Sequence, residues 1–317
     1  MDEVHDDEYV INEKTDYIQS ISSEIIELKN KKNAIILAHN YQLPEIQDVA
    51  DYTGDSFELA RKATQTDANM IIFCGVDFMA ESAKILNPGK RVFIPVADAR
   101  CPMAGMIKNE EIIRLKSEYP EAKIVAYVNT LAETKAISDV CCTSSSAVNI
   151  AKNIDAKDII FVPDMNLGKY VQKNLPEKNV ILAEGYCHVH HLSITVEKIS
   201  ELKARHPDAH VVVHPECTPE VISMADFVGS TAQILKYCSV EGEKYIIGTE
   251  REMCYRIKKE NPDVRLFPVE GAVCHNMKKI ELEAVLESLK SEKTEINMPQ
   301  KIMEKAMVPL KRMLEMG

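Results

Sequence analysis

Of the nine cysteines in this 317-residue chain, three are marked out by position. Cys101, Cys187 and Cys274 lie 86 and 87 residues apart, each a few residues beyond a short apolar run: Val92-Phe93-Ile94-Pro95, Val180-Ile181-Leu182-Ala183 and Arg265-Leu266-Phe267-Pro268. A lone buried cysteine reads as a small apolar residue. One per interval at a constant spacing reads as a ligand set. Three thiolates around a centre suit a [4Fe–4S] cluster with one iron lacking a protein ligand. Zinc held by three sulfurs and a water suits the same donors. Either metal keeps an open Lewis-acid position. The odd cysteine count and the lack of any CxxC pair argue against disulfides, a zinc ribbon or a thioredoxin-type site.

A second set has the same period. His39 with Tyr41, Tyr127 with Asn129, and His214 with Glu216 stand 88 and 87 residues apart, pair to pair. A spacing of two puts both members of a pair on one side of an extended strand. Two histidines, two tyrosines, an amide and a carboxylate can together exchange protons and orient a polar substrate. A third set follows in Gly54-Asp55-Ser56, Thr143-Ser144-Ser145-Ser146 and Gly229-Ser230-Thr231. These place hydroxyls and free backbone N–H groups where helices should open, so Ser56, Ser144 and Thr231 are candidate anion anchors. Cys74 and Cys254 have no counterparts in the other intervals. Cys141-Cys142, Cys217 and Cys238 carry no comparable signal.

Elements that would position these residues repeat as well. Continuous runs such as Ala34-Ile35-Ile36-Leu37-Ala38, Lys123-Ile124-Val125-Ala126 and His210-Val211-Val212-Val213 read as buried parallel strands. Each unit is predicted as strand, helix, helix, strand, helix, strand. This gives an α/β fold of three pseudo-threefold-related three-layer αβα domains around a central site. The boundaries fall at 1–118 (an N-terminal helix near 16–28 plus repeat one), 119–205 (repeat two) and 206–317 (repeat three plus a helix near 299–316). Asp51, Asp139 and Asp226 also recur in register.

Composition narrows the partners. A net charge of −11 argues against nucleic acid. No apolar run approaches a membrane span, and the acidic start Met1-Asp2-Glu3 is unlike a signal peptide. A cytoplasmic protein is expected.

Taken together, His39-Asn40-Tyr41-Gln42, Gly54-Asp55-Ser56, Phe78-Met79-Ala80-Glu81, Cys101-Pro102-Met103-Ala104, Tyr127-Val128-Asn129, Ser144-Ser145-Ser146, His214-Pro215-Glu216-Cys217 and Gly229-Ser230-Thr231 resemble the quinolinate synthase family from about residue 20 to 290. The resemblance implies condensation of iminoaspartate with dihydroxyacetone phosphate to quinolinate, phosphate and water, on the route to NAD. It implies one oxygen-sensitive [4Fe–4S] cluster per chain on Cys101, Cys187 and Cys274. It also implies substrate contacts at His39, Ser56, Tyr127, Asn129, Ser144, His214, Glu216 and Thr231. Tyr41, His214 and Glu216 would move protons. An iminoaspartate-producing oxidase or dehydrogenase would be the functional partner. Some members carry a second cysteine three residues after the last ligand. Met277 stands there in this chain, so no redox pair is expected at that place. Two other readings share the three-cysteine plan. Diphthamide-synthesis radical enzymes use S-adenosylmethionine, but would not explain His39-Asn40-Tyr41 or His214-Pro215-Glu216. A non-catalytic metal-dependent binding protein would take up anions without turnover.

Overall fold

The computed structural model describes residues 7–317 and contains three four-stranded parallel sheets. The first has β1 (Ala34–His39), β2 (Tyr52–Gly54), β3 (Met70–Cys74) and β4 (Arg91–Phe93). The second has β5 (Lys123–Tyr127), β6 (Val140–Cys142), β7 (Asp158–Val162) and β8 (Asn179–Leu182). The third has β9 (His210–Val213), β10 (Phe227–Val228), β11 (Lys244–Gly248) and β12 (Arg265–Pro268). Strand order is the same in all three, β2-β1-β3-β4, β6-β5-β7-β8 and β10-β9-β11-β12.

Helices fill the connections. They are α1 (Asp16–Lys31), α2 (Pro44–Val49), α3 (Ser56–Gln65), α4 (Asp77–Leu86), α5 (Asn109–Glu118), α6 (Ala132–Lys135), α7 (Ala147–Asn153), α8 (Met165–Asn174), α9 (Val196–Arg205), α10 (Pro219–Ile222), α11 (Thr231–Tyr237), α12 (Met253–Glu260), α13 (Leu282–Ser291) and α14 (Gln300–Met316). The fold is the expected α/β arrangement with one strand more per sheet. The additional strands β2, β6 and β10 are two or three residues long, too short for a hydrophobic pattern to announce them.

These short strands explain the repeating aspartates. In each unit the aspartate before the edge strand accepts a backbone N–H from the strand beside it: Ile36 to Asp51 (2.8 Å), Ile124 to Asp139 (2.9 Å) and Val211 to Asp226 (2.7 Å). The side chain satisfies a donor that the short edge strand is too short to reach. This recurrence is structural.

Repeats one and two share one hydrophobic core, which runs from Ile21 through Ile71, Phe93, Val125 and Phe161 to Met313. Helix α14 packs on α4, α6, α7 and β6, and α13 packs on α1 and β3. The stretch before α14 also adds an antiparallel segment to the β4 edge, with Ile94 N–H donating to the Thr294 carbonyl and Ile296 N–H to the Val92 carbonyl. Repeat three has separate cores on the two faces of its sheet, one of which takes in Val189, Ile194, Ile199 and Leu202 from the end of repeat two. Val211 and Val213 point into one, Val212 into the other. The other end of the chain reaches it, with Tyr9 N–H donating to the Leu266 carbonyl. No helix among the described residues is long and apolar enough to cross a membrane.

Candidate active site

The carboxyl ends of the three sheets face one cavity, with about 760 Å³ of atom-free space. Every candidate from the sequence lines it: Cys101, Cys187 and Cys274; His39, Tyr41, Tyr127, Asn129, His214 and Glu216; Ser56, Ser144 and Thr231.

The cysteines are half-buried, whereas the other six are fully buried. Each precedes a short helical turn, at 102–105, 189–193 and 277–279. In each turn the N–H three residues on, of Ala104, His190 or Met277, comes close enough to the sulfur to favour the thiolate, those of Ala104 and Met277 while donating to the cysteine's own carbonyl (3.1 and 3.0 Å). Burial raises all three thiols above the ordinary range. The protein therefore supplies N–H groups beside the sulfurs but leaves the neutralising charge to a metal. Three equivalent sulfur donors, each with an N–H beside it, fit an iron–sulfur cluster. The nearest alternative grouping is Cys187, His190 and Glu216, whose donor atoms lie within 4.8 Å of one another. It uses one of the three cysteines and leaves two unexplained. Its His190 Nδ1 to Glu216 Oε2 distance of 2.6 Å is that of a shared proton rather than of two ligands on one ion.

A carboxylate stands at each cysteine's own peptide and holds two of the three. Asp77 accepts from Cys101 N–H (3.1 Å) and Glu250 from Cys274 N–H (3.2 Å). At Cys187 the third carboxyl, Asp164, faces the peptide N–H without closing a hydrogen bond, since its Oδ2 has no partner. These acids stand 87 and 86 residues apart, the cysteine period reversed, and each sits just after the third strand of its sheet in chain order. Gly185 lets the second loop close in, because a Cβ there would meet the Pro163 carbonyl at 2.5 Å.

Beside the sulfurs lies a line of proton carriers. The Tyr41 hydroxyl is 2.6 Å from Thr249 Oγ1, which is 2.9 Å from His190 Nε2. His190 Nδ1 meets Glu216, and the His190 ring stacks on His214 with centroids 4.6 Å apart. Donors run one way along this line when Tyr41 gives to Thr249, Thr249 to His190 Nε2, and His190 Nδ1–H to Glu216. Burial works to raise the Glu216 carboxyl, but His190, His214 and the Tyr127 hydroxyl outweigh it and hold it below the usual range. Burial and the Glu216 charge push the Tyr41 and Tyr127 phenols up, so both stay protonated.

His39 and His214 are held alike. The N–H of Tyr41 donates to His39 Nδ1 (3.2 Å) and that of Glu216 to His214 Nδ1 (3.3 Å). Each ring then carries its proton on Nε2. Burial lowers both to about 3, so both are neutral donors.

The third set differs from expectation in detail. Asp55 and Ser230 are the N-caps, each in a capping box, and Ser56 and Thr231 follow them. Ser144 lies in a turn ahead of α7, whose cap position is Ser146. Asp55 and Ser230 carry the capping duty, which frees the next hydroxyl for the cavity. Thr231 Oγ1 takes a bond from Asn40 Nδ2 (2.9 Å), tying repeat one to repeat three.

Sequence reading passed over His190, Thr249 and the acids Asp77, Asp164 and Glu250. His190 and Thr249 have no counterparts in the other repeats, so periodicity could not find them. The signal for His190 was local, a second histidine in Cys187-His188-Val189-His190. The acids had the period, but Asp and Glu alternate among them.

Comparison with known proteins agrees with this geometry. Residues 23–315 match the family described as NadA, quinolinate synthetase A protein. The chain is 50% identical over 302 residues to the quinolinate synthase of Pyrococcus furiosus, covering 95% of this chain and 99% of that one. It is 49% identical over 302 residues to that of Caldicellulosiruptor saccharolyticus, with the same coverage. Against that of Aquifex aeolicus it is 48% identical over 307 residues, covering 95% of each. The diphthamide-type and binding-protein readings find no support in these matches. With the family model spanning nearly the whole chain and three sulfur donors around one cavity, the chain belongs to the quinolinate synthetase A family.

Proposed function

We propose that this chain condenses iminoaspartate with dihydroxyacetone phosphate to form quinolinate, phosphate and water. The observation that carries the reading is the convergence of the three cysteines, each with an N–H beside its sulfur, with the His190–Glu216 pair in one cavity. Cys101, Cys187 and Cys274 would hold one [4Fe–4S] cluster. When bound, it supplies a Lewis acid for a departing hydroxyl.

The protein's own groups do the rest. Ser56, Ser144 and Thr231 anchor carboxylate and phosphate oxygens, helped by the free N–H groups that open α3. His39 and His214 donate from Nε2 to substrate oxygens and keep them oriented. Asn129 Oδ1 is buried without a partner and is free to accept from an imine N–H. Glu216, ionised and paired with His190, takes the carbon-bound proton whose removal gives the enol. Tyr41 gives its proton to a leaving hydroxyl, and the line through Thr249 and His190 joins it to Glu216, whose gained proton balances the one Tyr41 gives up. The proposed domains, 1–118, 119–205 and 206–317, would each bring one cysteine to this centre. An iminoaspartate-forming oxidase or dehydrogenase in the cytoplasm would supply the substrate. Anaerobic purification, iron and sulfide analysis, and a quinolinate assay test the reading. Iron-loaded protein that forms no quinolinate from the two substrates would overturn it.

A further inference from the structure

The loops that present the first-strand pairs are held from behind by a device that occurs in two repeats and is absent from the third. In repeat one, Gln47 Nε2 donates to the carbonyls of Asn40 (3.1 Å) and Gln42 (2.9 Å). In repeat two, Lys135 Nζ donates to the carbonyls of Val128 (2.8 Å) and Thr130. Each donor comes eight residues after the first member of its pair, His39 or Tyr127. Each pair of carbonyls brackets the second member, Tyr41 or Asn129. Both donors are buried, at 4% and 0% exposure. In repeat three the same place is Ile222, which can donate nothing from its side chain. There Asn166 of repeat two reaches across to the Glu216 carbonyl (3.0 Å).

Two chemistries thus meet one geometric demand. A neutral amide suffices at Tyr41, while a fully buried ammonium is used at Asn129. Burying an ammonium is costly without compensation. Lys135 has part of it from the two carbonyls and from the face of Phe78, 5.5 Å away. Phe78 itself lines the cavity. The bracketed Asn129 carries a buried side-chain oxygen without a partner, an acceptor held ready for a ligand.

We propose that Lys135 and Gln47 are positioning residues that fix the direction in which Asn129 and Tyr41 meet the substrate. Lys135 does not line the cavity and acts through the peptide on either side of Asn129. The inference rests on Asn129 being a substrate contact.

The test uses iron-loaded enzyme and compares Lys135→Met, which keeps the stem and loses the donor, with Lys135→Gln, which installs the repeat-one solution. Iron per chain, kcat, KM for each substrate and quinolinate Kd by calorimetry are measured. Lys135→Met should keep its iron and raise KM and quinolinate Kd about tenfold or more, as a small misplacement of a binding group does. Lys135→Gln should return both to within about threefold of wild type. In an Asn129→Ala background, Lys135→Met should add less than about twofold, because its route of action is already cut. Equal impairment of the Met and Gln variants, unchanged KM and Kd in Lys135→Met, or full additivity with Asn129→Ala would each overturn the proposal. If Lys135→Met does not accumulate folded, Gln47→Leu paired with Tyr41→Phe gives the same cycle in repeat one, and additivity there overturns it. Wild-type enzyme that makes no quinolinate counts against the reaction instead. An active wild type with no clasp effect counts against the clasp alone.

Discussion

Repeats one and two are joined by apolar packing, whereas repeat three meets them largely through polar groups, apart from the segment 189–202, which packs into its core, and the segment from 277 on, which packs on the fused pair. The first junction is a continuous core sealed by α14, in which Leu310 and Met313 are fully buried beside residues of both sheets. The second is made by Asn40 to Thr231, Tyr41 to Thr249, His190 to Glu216, Asn166 to the Glu216 carbonyl, and Tyr255 to Asp48. Apolar junctions of that kind behave as one body, while polar ones resemble interfaces that open. The carboxylate on which the proposed chemistry turns, Glu216, is on repeat three, and its partners His190 and Tyr127 are on repeat two. The chemistry and the junction between repeats therefore use the same contacts.

The comparison breaks most completely at the cysteines, the one cavity-lining set to which all three repeats contribute the same residue type. Serine at Cys101, Cys187 or Cys274 should each abolish cluster loading and quinolinate formation, measured as iron per chain and turnover. Cys238→Ala, inside the repeat-three core, should keep its iron. A loaded cluster in any of the first three variants would remove that cysteine from the ligand set.

Next comes the contact across the seam. Glu216→Gln keeps the shape but removes the charge that His190 and Tyr127 face. Turnover should fall by a factor on the order of 10² or more with iron content unchanged. Turnover near wild type would mean that the carboxylate only holds the repeats together.

What could be read from the sequence divides along the same line. Features present three times were legible: the cysteines, the strand-end pairs, and the hydroxyls after the edge strands. Features present once were not. His190 and Thr249 complete the proton line from single positions, and their roles exist only where two repeats meet. The destination of α14 was hidden for a different reason. Its amphipathic pattern shows that one face is buried, but not on whose core, and following repeat three in sequence does not place it there. Lys135 read as an ordinary helix lysine, because nothing local announces that its ammonium ends among carbonyls. The acids behind the cysteines kept the period but alternated Asp with Glu, enough to hide a shared task.

Core truncations sharpen the contrast in packing. Leu310→Ala in α14 and Ile257→Ala in α12 both empty fully buried sites, and each should cost about 2–5 kcal/mol. They should differ in what loosens. Leu310→Ala should raise hydrogen exchange in the strands of both sheets of the fused pair, and Ile257→Ala in β11 and β12 alone. Identical exchange maps would show that all three repeats unfold as one unit.

The smallest expected effect is at the outer seam, where Asp48 of repeat one meets Lys259 and Tyr255 of repeat three and Lys14 of the leading segment. Burial works to raise the Asp48 carboxyl, but hydrogen bonds from Lys14, Lys259 and Tyr255 outweigh it and hold it below its ordinary value. A carboxyl lowered in the folded state stabilises above its unfolded pKa, and that contribution is lost only as the pH falls through the folded value. Both lysines are 44% exposed, so water solvates whichever charge is left unpaired. Asp48→Asn should therefore cost only about 1 kcal/mol or less in urea unfolding at pH 7. The gap from wild type should stay level down to about pH 4 and close below it. Turnover should be unchanged, since Asp48 does not line the cavity. A gap that already closes between pH 7 and 5 would mean that another group titrates at this seam. A fall in turnover would mean that the outer contact sets how repeat three docks over the site, and that the polar junction is one cooperative surface rather than a set of separate bonds.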